Sequence, residues 1–121
     1  MLEIILTQVF IFAAFWLDAH RDAWPSSPNF HTYKVFSLAF FIGAGFAASD
    51  LWVISAGILW GSTLWDFVYR WRAHGNPLEP DSFFLTFPGY EFRLLDNLGG
   101  EKLLRWALIR IILGIIAMGL R

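Results

Sequence analysis

The chain contains no cysteine. Disulfides, thiolate metal sites and a cysteine nucleophile are therefore excluded, and redox chemistry gives no guide to compartment. Positive charge is not in excess either. Nine Lys and Arg stand against ten Asp and Glu, for a net charge of −1, so nothing points to nucleic acid as a partner. No G-x-S-x-G, H-E-x-x-H or phosphate-binding glycine loop occurs, and no established catalytic motif can be built on. The N-terminus does not read as a cleavable signal. Glu3 stands where a basic region belongs, and no A-x-A site closes the apolar run that follows. There is no internal repeat and no low-complexity tract.

What is abundant is apolar. Hydrophobic residues make up 57 % of the 121 positions, and mean hydropathy is +0.53. A soluble domain of this size has too much surface for its volume to carry such a composition. Seven Trp and thirteen Phe suit the membrane–water interface, where amphipathic rings settle. The reading is an all-α integral membrane four-helix bundle, one domain over residues 1–121.

Four spans follow from apolar runs and breakers. The first, 2–22, is apolar through Leu17 except for Glu3, Thr7 and Gln8, and leaves the membrane at Asp18, His20, Arg21 and Asp22. Trp24-Pro25-Ser26-Ser27-Pro28 breaks it. Ser27-Pro28 is a helix-start signal, cap then first helical residue, and opens the second span, 28–48. Ser49-Asp50 separates it from the third, 51–72, because one unbroken helix from Val35 to Tyr69 would reach about 52 Å, too long for a single crossing. Asp50 is a suitable N-cap. A hairpin at this point would bring Gly43 and Ala44 near Ala56 and Gly57, with Gly57-x-x-x-Gly61 as a small-residue contact. His74-Gly75-Asn76-Pro77 ends the third span. The long connection after it is rich in Pro and Phe. Within its interfacial segment, 82–98, Tyr90–Leu98 reads as a short cytoplasmic amphipathic helix. The last span is 102–120.

Four crossings put both chain ends on one side. Arg21, Lys34, Arg70, Arg72, Arg93, Lys102 and Arg105 then belong to the other side, against Arg121 alone. This positive-inside bias makes the connections after spans one and three cytoplasmic and both termini external. A bacterial inner membrane is the expected location. All three histidines and eight of the ten acids share the cytoplasmic side.

The polar residues worth weighing lie there. Thr63, Asp66, Arg70 and His74 follow at steps of three, four and four, so they share a helix face. A carboxylate at lipid depth is costly and normally has a partner. For Asp66 that partner is Arg110, if spans three and four touch, or Arg70 one turn away. The alternatives are a structural ion pair that fixes register, a functional carboxylate, and an Arg110 that snorkels. Asp18 and Asp22 are one turn apart, a spacing that can share a divalent cation. His20 lies about 200° round the helix from Asp18, so the pair reads as a solvated helix end, and no metal or cofactor is implied. His31 and Lys34 are candidates for lipid phosphate or a partner's acids, with plain interfacial anchoring as the simpler account. His74 reads as a C-terminal cation complementing the helix dipole.

The stretch WDFVYRWRAHGNPLEP, followed by YEFRLLDNLGG and a final apolar helix, resembles a pattern in uncharacterised small multi-pass membrane proteins of bacterial phages and mobile elements. The resemblance covers Trp65–Leu120. It implies a membrane location and a mobile-element origin, and supplies no activity.

Three functions are consistent with these features. The leading one is a non-enzymatic membrane protein acting through helix packing or partner binding, with lipids, another membrane protein or a second copy as its partners. The second is an interface enzyme on a lipid or lipid-linked phosphate, using Asp18, Asp22 and Asp66 with Arg70, Lys34 or Arg110 on phosphate. The third is a holin-like pore or small transporter.

Overall fold

The computed structural model describes residues 1–24, 26, 28–48, 50–80 and 99–121. The described residues are all-helical, in four helices: α1 (Leu2–Ala23), α2 (Phe30–Ala47), α3 (Leu51–His74) and α4 (Gly100–Leu120). α1, α3 and α4 are long and apolar enough to cross a membrane. α2 does not meet that measure. Its 18 residues reach about 27 Å, and its first turns carry His31, Thr32, Tyr33 and Lys34. It also starts later than Ser27-Pro28 suggests, with Asn29 as N-cap. The expected interfacial segment 82–98, with its helix at Tyr90–Leu98, lies outside the described residues.

The ends of α3 show why it starts and stops where it does. Asp50 accepts a hydrogen bond from the Val53 N–H at 3.0 Å, which satisfies one of the free donors of the first turn. Gly75 closes the helix in the left-handed region, φ 75°, where a side chain would be strained. Its N–H donates to the Trp71 carbonyl at 2.8 Å. The ends of the following connection meet again. The Gly100 N–H donates to the Leu78 carbonyl at 2.8 Å, and Gly99 lies so close to the Pro80 backbone that a methyl group would not fit.

Interhelical contacts give the directions. Between α1 and α2, Phe10 packs on Gly43, the Ser37 hydroxyl donates to the Ala14 carbonyl at 2.9 Å, and His20 meets Tyr33. Rising numbers meet falling ones, so the pair is antiparallel over most of its length. Between α1 and α3, Gln8 Nε2 donates to the Val53 carbonyl at 3.0 Å, Ile11 meets Gly57, Phe15 meets Gly61, and Asp18 meets Trp65. This pair is parallel. Between α3 and α4, Trp60 Nε1 donates to the Ile111 carbonyl at 3.1 Å, and Asp50 pairs with Arg121. This pair is antiparallel. The helices alternate in direction and pack in the order α2–α1–α3–α4.

That order corrects one expectation. Gly43 and the Gly57-x-x-x-Gly61 face do not meet each other, since both sides pack on α1. Gly57 is filled by Ile11 and Gln8, and Gly61 by Phe15 and Ile11. A Cβ at Gly61 would clash with the edge of the Phe15 ring, so absence of a side chain is what admits the α1 aromatic. One cluster of the buried core comprises Ile11, Phe15, Ala19, Ala44, Trp65 and Val68. Central position also shows in burial. Of the most apolar window of each helix, 56 % is buried in α3 against 28 % in α1 and in α4.

Candidate functional site: a buried charge cluster between α3 and α4

Asp66 and Arg110 are inaccessible to solvent, and so is Arg70. Arg110 Nη2 pairs directly with Asp66 Oδ2. Arg110 Nη1 donates to the Ser62 hydroxyl at 3.1 Å, and Ser62 donates onward to the Leu59 carbonyl at 3.0 Å. Arg70 takes a different role. Its Nη1 donates to the Asp66 carbonyl at 3.1 Å and stands 3.9 Å from Asp66 Oδ1, while its Nε donates to the Glu79 carbonyl at 3.1 Å. One guanidinium thus holds α4 to α3, and the other holds the chain after α3 back against the helix.

Position makes the first contact expensive to lose. Arg110 lies at the middle of α4, about 15 Å from either end. Removing one partner of a buried ion pair costs about 3–5 kcal/mol, because the other charge is left buried and uncompensated. Small residues let the helices come close enough for the pair to form. Gly114 sits under the Trp60 indole with no room for a methyl, and Ala107 and Ala117 are buried on the same side of α4.

The helix face read from sequence is altered in detail. Thr63 does not join the cluster, for its hydroxyl bonds back to the Leu59 carbonyl at 2.9 Å. Ser62 takes its place. The spacing could have shown this, because Ser62 and Asp66 are four apart and an arginine reaching one reaches the other. His74 is exposed at the helix end beside Gly75.

Asp18 and Asp22 sit elsewhere. Asp18 accepts from Trp65 Nε1 at 3.0 Å and pairs with Arg21 at 2.8 Å. Asp22 pairs with the same Arg21 at 3.2 Å. Trp65 faces α1 while its neighbour Asp66 faces α4, so Asp18 and Asp66 lie on different sides of α3. Among the described residues no three His, Asp or Glu side chains gather in a metal-binding group. His20 points into rings, with Trp16 at 4.8 Å, Tyr33 at 6.2 Å and Trp71 at 6.4 Å between centroids. His31 and Lys34 are exposed.

No protein-family model, curated protein or solved structure matches the chain. The site therefore has to be read on its own geometry. An apolar groove opens beside it, lined by Phe12, Trp60, Thr63, Leu64, Phe67 and Ile111. Among the described residues no ionisable side chain lines it. Several polar side chains of the spans are engaged with nearby backbone. Thr7 donates to the Glu3 carbonyl at 2.7 Å, and Gln8, Ser37 and Thr63 bond backbone as described above.

Proposed function

We propose that this chain is a multi-pass protein of a bacterial inner membrane with four crossings. Both termini lie outside, and the connections after α1 and α3 are cytoplasmic. It acts without catalysis, through helix packing and contact with a membrane partner. The observation that carries this reading is the closed Asp66–Arg110 pair, set within helices whose outer faces are apolar. Leu104, Leu108, Ile112 and Ile115 of α4 are exposed, as are Phe36 and Ile42 of α2. In water these faces would be a severe liability. In lipid they are the solvated surface, and the charges need an internal partner.

The alternation of directions supports four crossings rather than three. α2 runs back along α1 from Phe30 beside Arg21 to Gly43 beside Phe10. If α1 crosses, α2 is carried across with it, its short apolar length extended by interfacial His31 and Lys34. The interface-enzyme reading needs Asp18, Asp22 and Asp66 on one cavity, and they face different helices. The pore reading needs polar side chains on a lumen, and Thr7, Gln8, Ser37 and Thr63 are turned to backbone. The resemblance to phage and mobile-element proteins is in keeping with the membrane reading.

Topology reporters fused at each end test it. Four crossings place both ends outside. Ends on opposite sides would mean that α2 does not cross, and recovery of the chain in a detergent-free soluble fraction would end the membrane reading.

A further inference from the structure

The acids at the cytoplasmic end of α1, α2 and α3 are largely committed. Asp18 and Asp22 both serve Arg21, and Glu79 takes the Asn76 amide at 3.5 Å. Among the described residues this leaves Arg72 and Lys34 with no carboxylate partner, and both are exposed. Between them lies a floor of rings. His20 meets Tyr33 of α2 on one side and Trp71 of α3 on the other, and Lys34 and Arg72 are the next residues along those two helices. The Arg72 guanidinium rests on the Trp24 ring, 5.5 Å from its centroid. Trp16, Trp24 and Trp71 are each 43–48 % exposed, as rings at headgroup depth should be.

The opposite end of the molecule differs. Its cation at the end of α4, Arg121, is already paired with Asp50 at 2.8 Å. Cations with no carboxylate partner among the described residues, beside exposed indoles at one membrane face, fit a phosphate diester set in an apolar surface.

We infer that the ends of α2 and α3 form a binding surface for anionic phospholipid headgroups, with Arg72 on Trp24 and Lys34 as the two phosphate-facing cations. This rests on the membrane reading above. An acidic segment of a protein partner would need the same charges, but it would not need indoles held at headgroup depth.

The test is lipid selectivity of the full chain reconstituted in phosphatidylcholine bilayers. The probes are spin-labelled phosphatidylglycerol and spin-labelled phosphatidylcholine. The wild-type chain should associate preferentially with the glycerol lipid. Arg72→Gln and Lys34→Gln should each lower that preference by up to about fivefold, from roughly 1 kcal/mol for a cation near the surface. Arg72→Lys should retain most of it, and Lys102→Gln should lower it less than Arg72→Gln or Lys34→Gln. All these positions are exposed, so folding is not at stake, and circular dichroism of each variant checks this. Equal association of the two lipids with the wild type overturns the proposal. So does a preference that survives the double variant, or one lost only with Lys102. A wild-type chain that never enters the bilayer would overturn the membrane reading itself, and this proposal with it.

Discussion

Asp66 and Arg110 stand 44 positions apart in the chain, yet they form a direct ion pair with no solvent access to either side chain. Helix α4 packs chiefly on α3, so this pair joins α4 to its principal neighbour. In the bilayer proposed above, apolar contacts between helices gain little, because lipid tails are as apolar as Leu. Packing and polar contacts must supply the specificity. Ser62 and the Trp60–Ile111 bond extend the contact along nearly two turns of α3, from Trp60 to Asp66.

Removing one partner should therefore do more harm than removing both. Asp66→Ala should cost about 3–5 kcal/mol, because it strands Arg110 in a buried site. The double substitution Asp66→Leu with Arg110→Leu should recover much of the loss. Folded yield and monodispersity in mild detergent, followed by denaturant titration, check both. A single Asp66→Ala chain as stable as the wild type would show that the pair does not hold α4.

The α1–α3 contact makes a different demand. Gly61→Leu puts a side chain where the Phe15 ring sits. Overpacking of this kind costs about 1–3 kcal/mol, and sometimes more. Gly45 has open space around the position of a Cβ, so Gly45→Ala should be close to neutral. The two variants compared by thermal unfolding in one detergent would separate a packing requirement from a general intolerance of larger residues.

Asp50 predicts a pH dependence. Its carboxylate caps α3 through the Val53 N–H and also pairs with Arg121, and these hold its pKa below the ordinary 3.8, the Val53 bond foremost. A carboxyl group with a lowered folded pKa contributes stability above its unfolded pKa. The contribution declines as pH falls from about that value through the lower folded one. Wild type should thus exceed Asp50→Asn in melting temperature at neutral pH. The gap should close in acid below the ordinary carboxylate range. A gap independent of pH would mean that the cap acts without its charge.

Much of this was legible along the chain. Apolar runs bounded by Trp24-Pro25, Ser49-Asp50 and His74-Gly75 mark the helices within a few residues, because helix length in lipid and the chemistry of caps are local properties. Asp50 was readable as a cap for the same reason. Asp66 announced that it needed a partner. That the partner is Arg110 followed only conditionally, since equal depth on two helices is necessary for contact and not sufficient. The bond from Trp65 to Asp18 was not readable at all. It depends on α1 lying parallel beside α3, and a period of 3.6 residues says which residues share a face without saying which neighbour that face meets.

Composition and periodicity alone thus determined an all-helical chain with lipid-length apolar segments and its cations gathered at one end. The tertiary structure decided the neighbours: α1 between α2 and α3, α4 on the far side of α3, and Arg110 reaching Asp66 from another helix. The reason is that hydropathy is a sum over residues taken singly. Neighbour choice depends instead on how small residues such as Gly61 and Gly114 let particular surfaces approach, and that is a property of two surfaces together.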